Sequence, residues 1–266
     1  MKLIYPDNIS SITADAENAS YPAANLLDDH PKKVFKGKTK RAVITAVVTG
    51  GGALAIIATN AVSIRLVLST GQTIEWDYTY YHPLSSDGVR WDPGEVSWDT
   101  SGDTTTTERI KLTGDIDGVA WFDFEEERTS NYTATITLVA EAGQIIQAGV
   151  IKSGTLRTFV DPAYGIQEGL EDYSVEKELN NGAFYYRKRD IATTFDFQIV
   201  PARDPDFYTF IRTVAKANGK QPLAWRISTN NTDSEWIVFA RFADMPRGSH
   251  DYPAYSPIDV SIVEVL

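Results

Sequence analysis

Residues 41–68, RAVITAVVTGGGALAIIATNAVSIRLVL, decide the fold class of this chain. Apolar side chains recur at alternate positions, and β-branched residues are frequent, which predicts β-strands rather than helices. The predicted strands are 41–48, 53–59 and 62–68, separated by turns at Gly50-Gly51-Gly52 and Thr59-Asn60-Ala61. The stretch therefore predicts consecutive short strands joined by tight turns.

The same patterns extend outward from this stretch along most of the chain. Further strands are predicted at 73–79, 108–112, 118–125, 133–139, 144–154, 174–179, 183–189, 192–199, 224–227, 236–242 and 258–265. Asn180-Asn181-Gly182 predicts a hairpin turn, because Asn and Gly tolerate the positive φ angles of tight turns. Short strands at this spacing favour a β-sandwich or jelly roll, so the predicted fold class is all-β.

One helix and one domain boundary interrupt the strands. Asp204-Pro205-Asp206 supplies a cap, a first-turn proline and an acidic start, which predicts a helix near 205–218 that ends at Asn218-Gly219. Pro and Gly in 159–165 interrupt strand pairing. We therefore predict two domains, 1–158 and 159–266, and a long loop at 80–107.

Composition excludes several classes of function. The chain has 266 residues, a net charge of −11 and no cysteine, so disulfides, thiolate catalysis and zinc–cysteine sites are excluded. An acidic chain is a poor match to nucleic acid, and no nucleic-acid binding is expected. The longest apolar run, 50–57, is too short to span a bilayer, and the first residues do not resemble a signal peptide.

No motif of a known catalytic or cofactor site occurs in the sequence. Glycine-rich phosphate loops, the His-Glu-X-X-His motif and the Gly-X-Ser-X-Gly motif are all missing. The three histidines lie in loop-like segments and are interpreted as surface residues. Asp123 and Glu125–Glu127 are interpreted as a solvated strand end or salt-bridge partners, with calcium binding as an open alternative. The chain is thus predicted not to be an enzyme and to use no cofactor or metal.

Two clusters are candidate sites for binding. The first is basic and has three interpretations: a solvated loop, a docking surface for an acidic protein neighbour, or a site for an anionic glycan or nucleic acid. It consists of Lys32, Lys33, Lys36, Lys38, Lys40 and Arg41. The second is aromatic and suits either a subunit interface or core, or the stacking of sugar rings. It consists of Trp76, Tyr78, Tyr80, Trp91 and Trp98.

Several phrases resemble known phage proteins. Residues 18–31, NASYPAANLLDDHP, resemble the opening of galactose-binding-like jelly rolls, with Val34-Phe35 where that fold places a residue facing the sheet. Residues 53–61, ALAIIATNA, are similar to the ala-ile-x-gly-leu-asn-ala pattern of many such domains. In the second half, 189–197, the predicted helix, 221–225 and 236–240 resemble the strand–helix–strand unit of tail-tube and distal-tail-like domains.

The resemblance implies a galactose-binding-like jelly-roll sandwich followed by a tail-tube-like β-sandwich or barrel with one helix. It further implies a structural component of the tail tip or baseplate of a long-tailed phage, made in the bacterial cytoplasm and located in the virion. Such proteins form trimeric or hexameric rings that connect the tail tube to hub, tape-measure and receptor-binding proteins. The main alternative is a carbohydrate-binding module that contacts host glycan through the aromatic cluster; a polysaccharide-degrading enzyme is a third hypothesis.

Overall fold

The structure, a computed structural model, describes residues 1–77, 110–111, 118–163, 165–178, 184–201, 208–227, 236–249 and 256–265. These residues form an all-β fold, which confirms the predicted class. The strands of the described residues are, in chain order, β1 (Lys2–Asp7), β2 (Ile9–Ala14), β3 (Phe35–Lys36), β4 (Arg41–Val48), β5 (Gly51–Thr59), β6 (Ala61–Leu68), β7 (Thr73–Asp77), β8 (Ile110–Lys111), β9 (Gly118–Arg128), β10 (Tyr132–Ala140), β11 (Gln147–Ala148), β12 (Val150–Thr158), β13 (Gln167–Asp172), β14 (Val175–Glu178), β15 (Phe184–Arg187), β16 (Ile191–Ile199), β17 (Leu223–Arg226), β18 (Ile237–Gly248) and β19 (Ile258–Glu264).

The chain divides into two compact units. The N-terminal unit contains Pro6–Leu156 together with Thr232–Ile237. The C-terminal unit contains Met1–Tyr5, Arg157–Asn231 and Val238–Leu266. The first five residues thus belong to the second unit, where β1 pairs with β17.

The N-terminal unit is a sandwich of two antiparallel sheets. One sheet has the strand order β2-β4-β10-β6-β7, and the other contains β12, β5, β9 and β8 in that order. Alternate residues of β4 and β10 are buried, so partners such as Ile44 and Ile136 point into the core together. Leu54 and Ile56 of β5 join the same core from the opposite sheet, which is how the period-2 pattern of the sequence produces two packed layers.

The segment that leads into β3 buries apolar side chains in this core. Leu26, in the 3₁₀ helix Ala23–Leu27, is fully buried, and so is Phe35. The Asn25 side-chain amide donates a hydrogen bond of 2.9 Å to the Val34 carbonyl oxygen and closes the loop between them. Burying a side chain of this size stabilises the fold by about 2–3 kcal/mol, so the apolar residues of the phrase at 18–31 have a structural role.

Six strands of the C-terminal unit lie side by side in the order β13-β16-β19-β18-β17-β1, and the pairs β13·β16, β16·β19, β18·β19 and β17·β1 are antiparallel. The core of this unit is aromatic: Trp225 and Phe242 meet edge to face at 5.4 Å, and Phe210 meets Phe159 in the same way at 5.2 Å. The Trp225 indole N–H donates a hydrogen bond of 3.0 Å to the Ala240 carbonyl oxygen. The buried polar atom is therefore satisfied, and the tryptophan can occupy the core without a desolvation penalty.

The predicted helix is partly described. Thr209–Ala215 is π-helical and continues into the α-helical turn Lys216–Asn218, while Asp204, Pro205 and Asp206 lie outside the described residues. Phe210, Val214 and Ala215 are the buried positions of the π-helical part. Their spacing of four and five residues fits the wider turn of a π-helix, in which bonds run between i and i+5. The helix ends at Gly219, which has a φ of 61°, as the sequence predicted.

Several strands differ from the predicted ones. The predicted strand 144–154 divides into β11 and β12 at Gly149, whose N–H donates to the carbonyl oxygens of Ile57 and Ala58 at 3.1 and 3.0 Å. β18 runs on to Gly248 through two register shifts instead of ending at 242. β1, β2, β3 and β13 were not predicted, because their ladders form with strands distant in sequence. The predicted loop 80–107 lies outside the described residues.

Ala58 has a φ of 57°, an unusual value for a residue with a side chain. It occupies the place where the ala-ile-x-gly-leu-asn-ala pattern has glycine. The left-handed conformation costs an alanine about 1–2 kcal/mol, and a glycine avoids most of that cost. We therefore expect Ala58→Gly to raise the free energy of unfolding by about 0.5–1 kcal/mol, measured by urea denaturation; a destabilised variant would contradict the strained backbone.

Candidate assembly surface

A two-stranded hairpin of the C-terminal unit exposes both of its faces. It consists of β14 and β15, which we call the arm, and it follows directly on β13. Phe184, Tyr185 and Tyr186 are 67%, 50% and 59% exposed. Two-stranded sheets are marginally stable in water, and large exposed aromatic side chains mark interaction surfaces. The arm is therefore the strongest candidate for a contact with another protein.

Other apolar side chains are exposed at the base of the arm. Leu170 of β13 is 75% exposed, Val175 of β14 is 38% exposed, and Ile191, at the start of β16, is 45% exposed. Asp172 of β13 pairs with Ile191, so β13 and β16 form the ladder from which the arm extends. Six of the ten large apolar side chains that are exposed among the described residues thus lie between 170 and 191, which makes this the main apolar surface of the described part.

β13 is an edge strand of the C-terminal sheet. Within the described residues it pairs with β16 alone, so one side of its backbone has no strand partner. Glu168, Glu171 and Asp172 are all exposed along it. Charged side chains on an edge discourage unregulated strand addition, so β13 suits a contact of defined charge better than open-ended pairing.

The predicted basic cluster lies in the N-terminal unit, and most of its side chains are exposed. The Lys33 ammonium group forms a 2.6 Å ion pair with Asp28, and the Lys36 ammonium group lies 4.6 Å from the centroid of the Tyr21 ring. Lys32, Lys38, Lys40 and Arg41 are exposed. The cluster is thus a cationic surface beside an exposed tyrosine, and its partner stays a prediction.

The predicted aromatic cluster falls mostly outside the described residues. Tyr78, Tyr80, Trp91 and Trp98 belong to the undescribed part. For Trp76 the structure gives the backbone, which pairs with Ile64 in the ladder between β6 and β7. Glycan binding through this cluster therefore stays a prediction.

The acidic run lies in the last six residues of β9, which continues to Arg128, three residues beyond the predicted end of the strand. The Asp123 carboxylate accepts a 2.8 Å hydrogen bond from the Trp121 indole, while Glu125, Glu126 and Glu127 are exposed. No group of three His, Asp or Glu side chains in the described residues is arranged to hold a metal ion. Nor does any helix among those residues have the length and apolar character needed to cross a membrane.

The C-terminal unit also has an open polar cleft of ≈ 500 Å³ over β16, β18 and β19. The two register shifts of β18 bring Asp244 opposite Ser261 and Arg247 opposite Asp259. The Gln198 amide donates a 2.8 Å hydrogen bond to Asp259. These side chains already partner one another in part, so the cleft is a polar surface suited to further hydrogen bonds with a neighbouring molecule.

A lysine is buried inside the N-terminal unit. The Lys152 side chain is 11% exposed, and its ammonium group lies 2.7 Å from an Asp29 carboxylate oxygen and 3.1 Å from one of Asp7. Burial lowers the pKa of Lys152, but the two carboxylates more than offset this, so its pKa lies above the usual 10.5. Lys152, Asp7 and Asp29 form a triad in which one buried ammonium group links β12 to β1 and to the segment after the 3₁₀ helix.

The raised pKa predicts how stability depends on pH. The contribution of Lys152 is complete below pH 10.5 and is lost as the pH rises through the folded-state pKa. Lys152→Met should destabilise the protein by about 2 kcal/mol at pH 8, less than for a fully buried pair because Asp7 and Asp29 are partly exposed. Denaturant unfolding should show that the difference in free energy of unfolding between wild type and Lys152→Met is smaller near pH 11 than at pH 8. An equal difference at the two pH values would contradict the role of the triad.

Comparisons with known proteins give no family. No protein-family model matches the chain, and no curated protein matches it. Among solved structures, the chain is similar to one in the X-ray crystal structure of reduced XRCC1 bound to the DNA polymerase β catalytic domain. The sequence identity is 9%, the TM-score is 0.34, and the match covers 57% of this chain and 98% of that one. At this score the similarity does not bear on function.

Proposed function

We propose that this chain is a structural component of the tail tip or baseplate of a long-tailed phage. It forms a ring of three or six copies that connects the tail tube to the hub, tape-measure and receptor-binding proteins. The phage context rests on the sequence phrases at 18–31, 53–61 and 189–240. Assembly itself rests on one structural observation, the exposed aromatic arm.

The arm supports self-assembly for a physical reason. Three consecutive aromatic side chains that are half exposed or more would be a liability in a protein that acts alone, because such surfaces associate. Phe, Tyr and Arg are enriched where subunits meet, and the strand Phe184–Arg187 consists of these three residue types. A surface of this kind on every copy suits a closed ring.

The experiment is to determine the mass of the purified chain by light scattering and to image it by electron microscopy. The proposal expects a closed ring. Antibody labelling should place the chain at the tail end of the virion of the phage that encodes it. A chain that stays monomeric at every soluble concentration and is missing from virions would overturn the proposal. Labelling elsewhere in the virion would leave a structural role but remove the tail-tip assignment.

A further inference from the structure

The two faces of the arm carry opposite charges. Successive strand residues point to opposite faces, and cross-strand partners share a face. Glu176 pairs with Tyr186, whereas Val175 pairs with Arg187 and Lys177 pairs with Tyr185. One face therefore carries Glu176, Phe184 and Tyr186 together with Glu178, which pairs with Phe184, and we call it the acidic face. The other, the basic face, presents Val175, Lys177, Tyr185 and Arg187.

Both faces of the arm are exposed, and they differ mainly in charge. Each is a short two-stranded surface with aromatic rings, and all seven side chains of Val175–Lys177 and Phe184–Arg187 are exposed. A like pairing of two acidic faces would oppose four carboxylates, and a like pairing of two basic faces would oppose four cations. An acidic face against a basic face brings Glu176 near Lys177 and Arg187 and stacks the aromatic side chains between them.

We propose that the acidic face of the arm of one copy packs on the basic face of the arm of the next copy. The inference rests on the proposed ring and specifies its contact. Because unlike surfaces meet, the contact is head-to-tail and repeats around an axis, rather than joining two copies about a two-fold axis. The arm thus sets both the partner, a second copy of this chain, and the direction of assembly.

Charge reversal on one face at a time tests the inference. The double variant Glu176→Lys/Glu178→Lys makes both faces basic, and the double variant Lys177→Glu/Arg187→Glu makes both faces acidic. Each variant alone should associate about 10–100-fold more weakly than the wild type, because every contact becomes repulsive. Combining all four substitutions in one chain exchanges the charges of the two faces and should restore association.

Mixing the two weakened variants gives the sharpest result. A basic-armed chain and an acidic-armed chain attract each other through both faces, so the mixture should recover assembly in strictly alternating order. If the wild-type ring has six copies, native mass spectrometry with one variant isotopically labelled should find equal numbers of the two chains and only even-numbered rings. A three-copy ring cannot close in alternating order, so in that case the spectrum should show the one-to-one pair of the two variants. The controls Glu141→Lys and Lys216→Glu make single charge reversals on exposed side chains away from the arm, and they should assemble as the wild type does.

The outcomes separate this contact from the proposed function. If the wild type forms rings but both arm variants form them with wild-type affinity, the face-to-face contact is wrong and the ring stands. Rings from the mixture with an odd number of copies, or no association between the two variants on mixing, would also overturn the contact. A wild type that forms no ring would overturn both.

Discussion

Replacing Phe184 and Tyr186 by serine should convert the assembled protein into monomers. The two side chains are 67% and 59% exposed and share the acidic face of the arm. Buried aromatic anchors at interfaces contribute about 2 kcal/mol or more each, so losing two should weaken association on the order of 10³-fold. Sedimentation velocity over a concentration series would measure the change.

The fold should survive this double substitution, because neither side chain belongs to the buried core. The matched control is Ile145→Ser, which removes another large apolar side chain, 53% exposed, from the N-terminal unit. It should leave the oligomeric state unchanged, and thermal unfolding of both variants should stay close to that of the wild type. An arm variant that keeps the wild-type mass at every concentration would show that the aromatic side chains are not an interface.

The sequence predicts best where local pattern and burial coincide. β4 and β10 alternate buried and less buried residues along their whole length, and their predicted positions agree with the structure to within one residue. Gly219 ends the helix for a local reason, since glycine adopts the positive φ that follows it. In these elements the local sequence is sufficient to predict the structure.

Elsewhere the decisive partner is distant in sequence. The pairing of β1 with β17 joins Lys2 to Arg226, which no local pattern reveals. β13 consists largely of Glu, Gln, Gly and Asp, residues with low β-propensity, and it is a strand because β16 supplies a ladder. Strand propensity could not identify it for that reason.

The same limit applies to the candidate site. Composition singled out Trp76, Trp91 and Trp98, while the aromatic residues of β15 were predicted only as part of a strand. An aromatic strand in a β-protein is most often buried, and exposure is a property of the tertiary fold. The hairpin turn at Asn180-Asn181-Gly182 predicted the pairing of the arm, but only the structure reveals that neither face is covered.

Gly154→Ala should cause a large loss of stability in the N-terminal unit. A Cβ at this position would overlap the Pro6 carbonyl oxygen and lie 3.1 Å from the Asn8 nitrogen. The backbones approach closely here because the Asn8 N–H donates a 2.8 Å hydrogen bond to the Ser153 carbonyl oxygen. The obstacle is main chain on both sides, so no side chain can rotate to relieve it.

We expect Gly154→Ala to lower the free energy of unfolding by about 3 kcal/mol, because β12 must move away from the segment at Pro6. The control is Gly71→Ala, where φ is 102° and no atom lies within 4 Å of the new Cβ. That variant bears only backbone strain and should lose about 1–2 kcal/mol. Hydrogen exchange should locate the weakening caused by Gly154→Ala in β12 and its neighbours; equal losses in the two variants would mean that the chain relaxes around the added methyl group, and that the close approach at Pro6 is not what requires glycine.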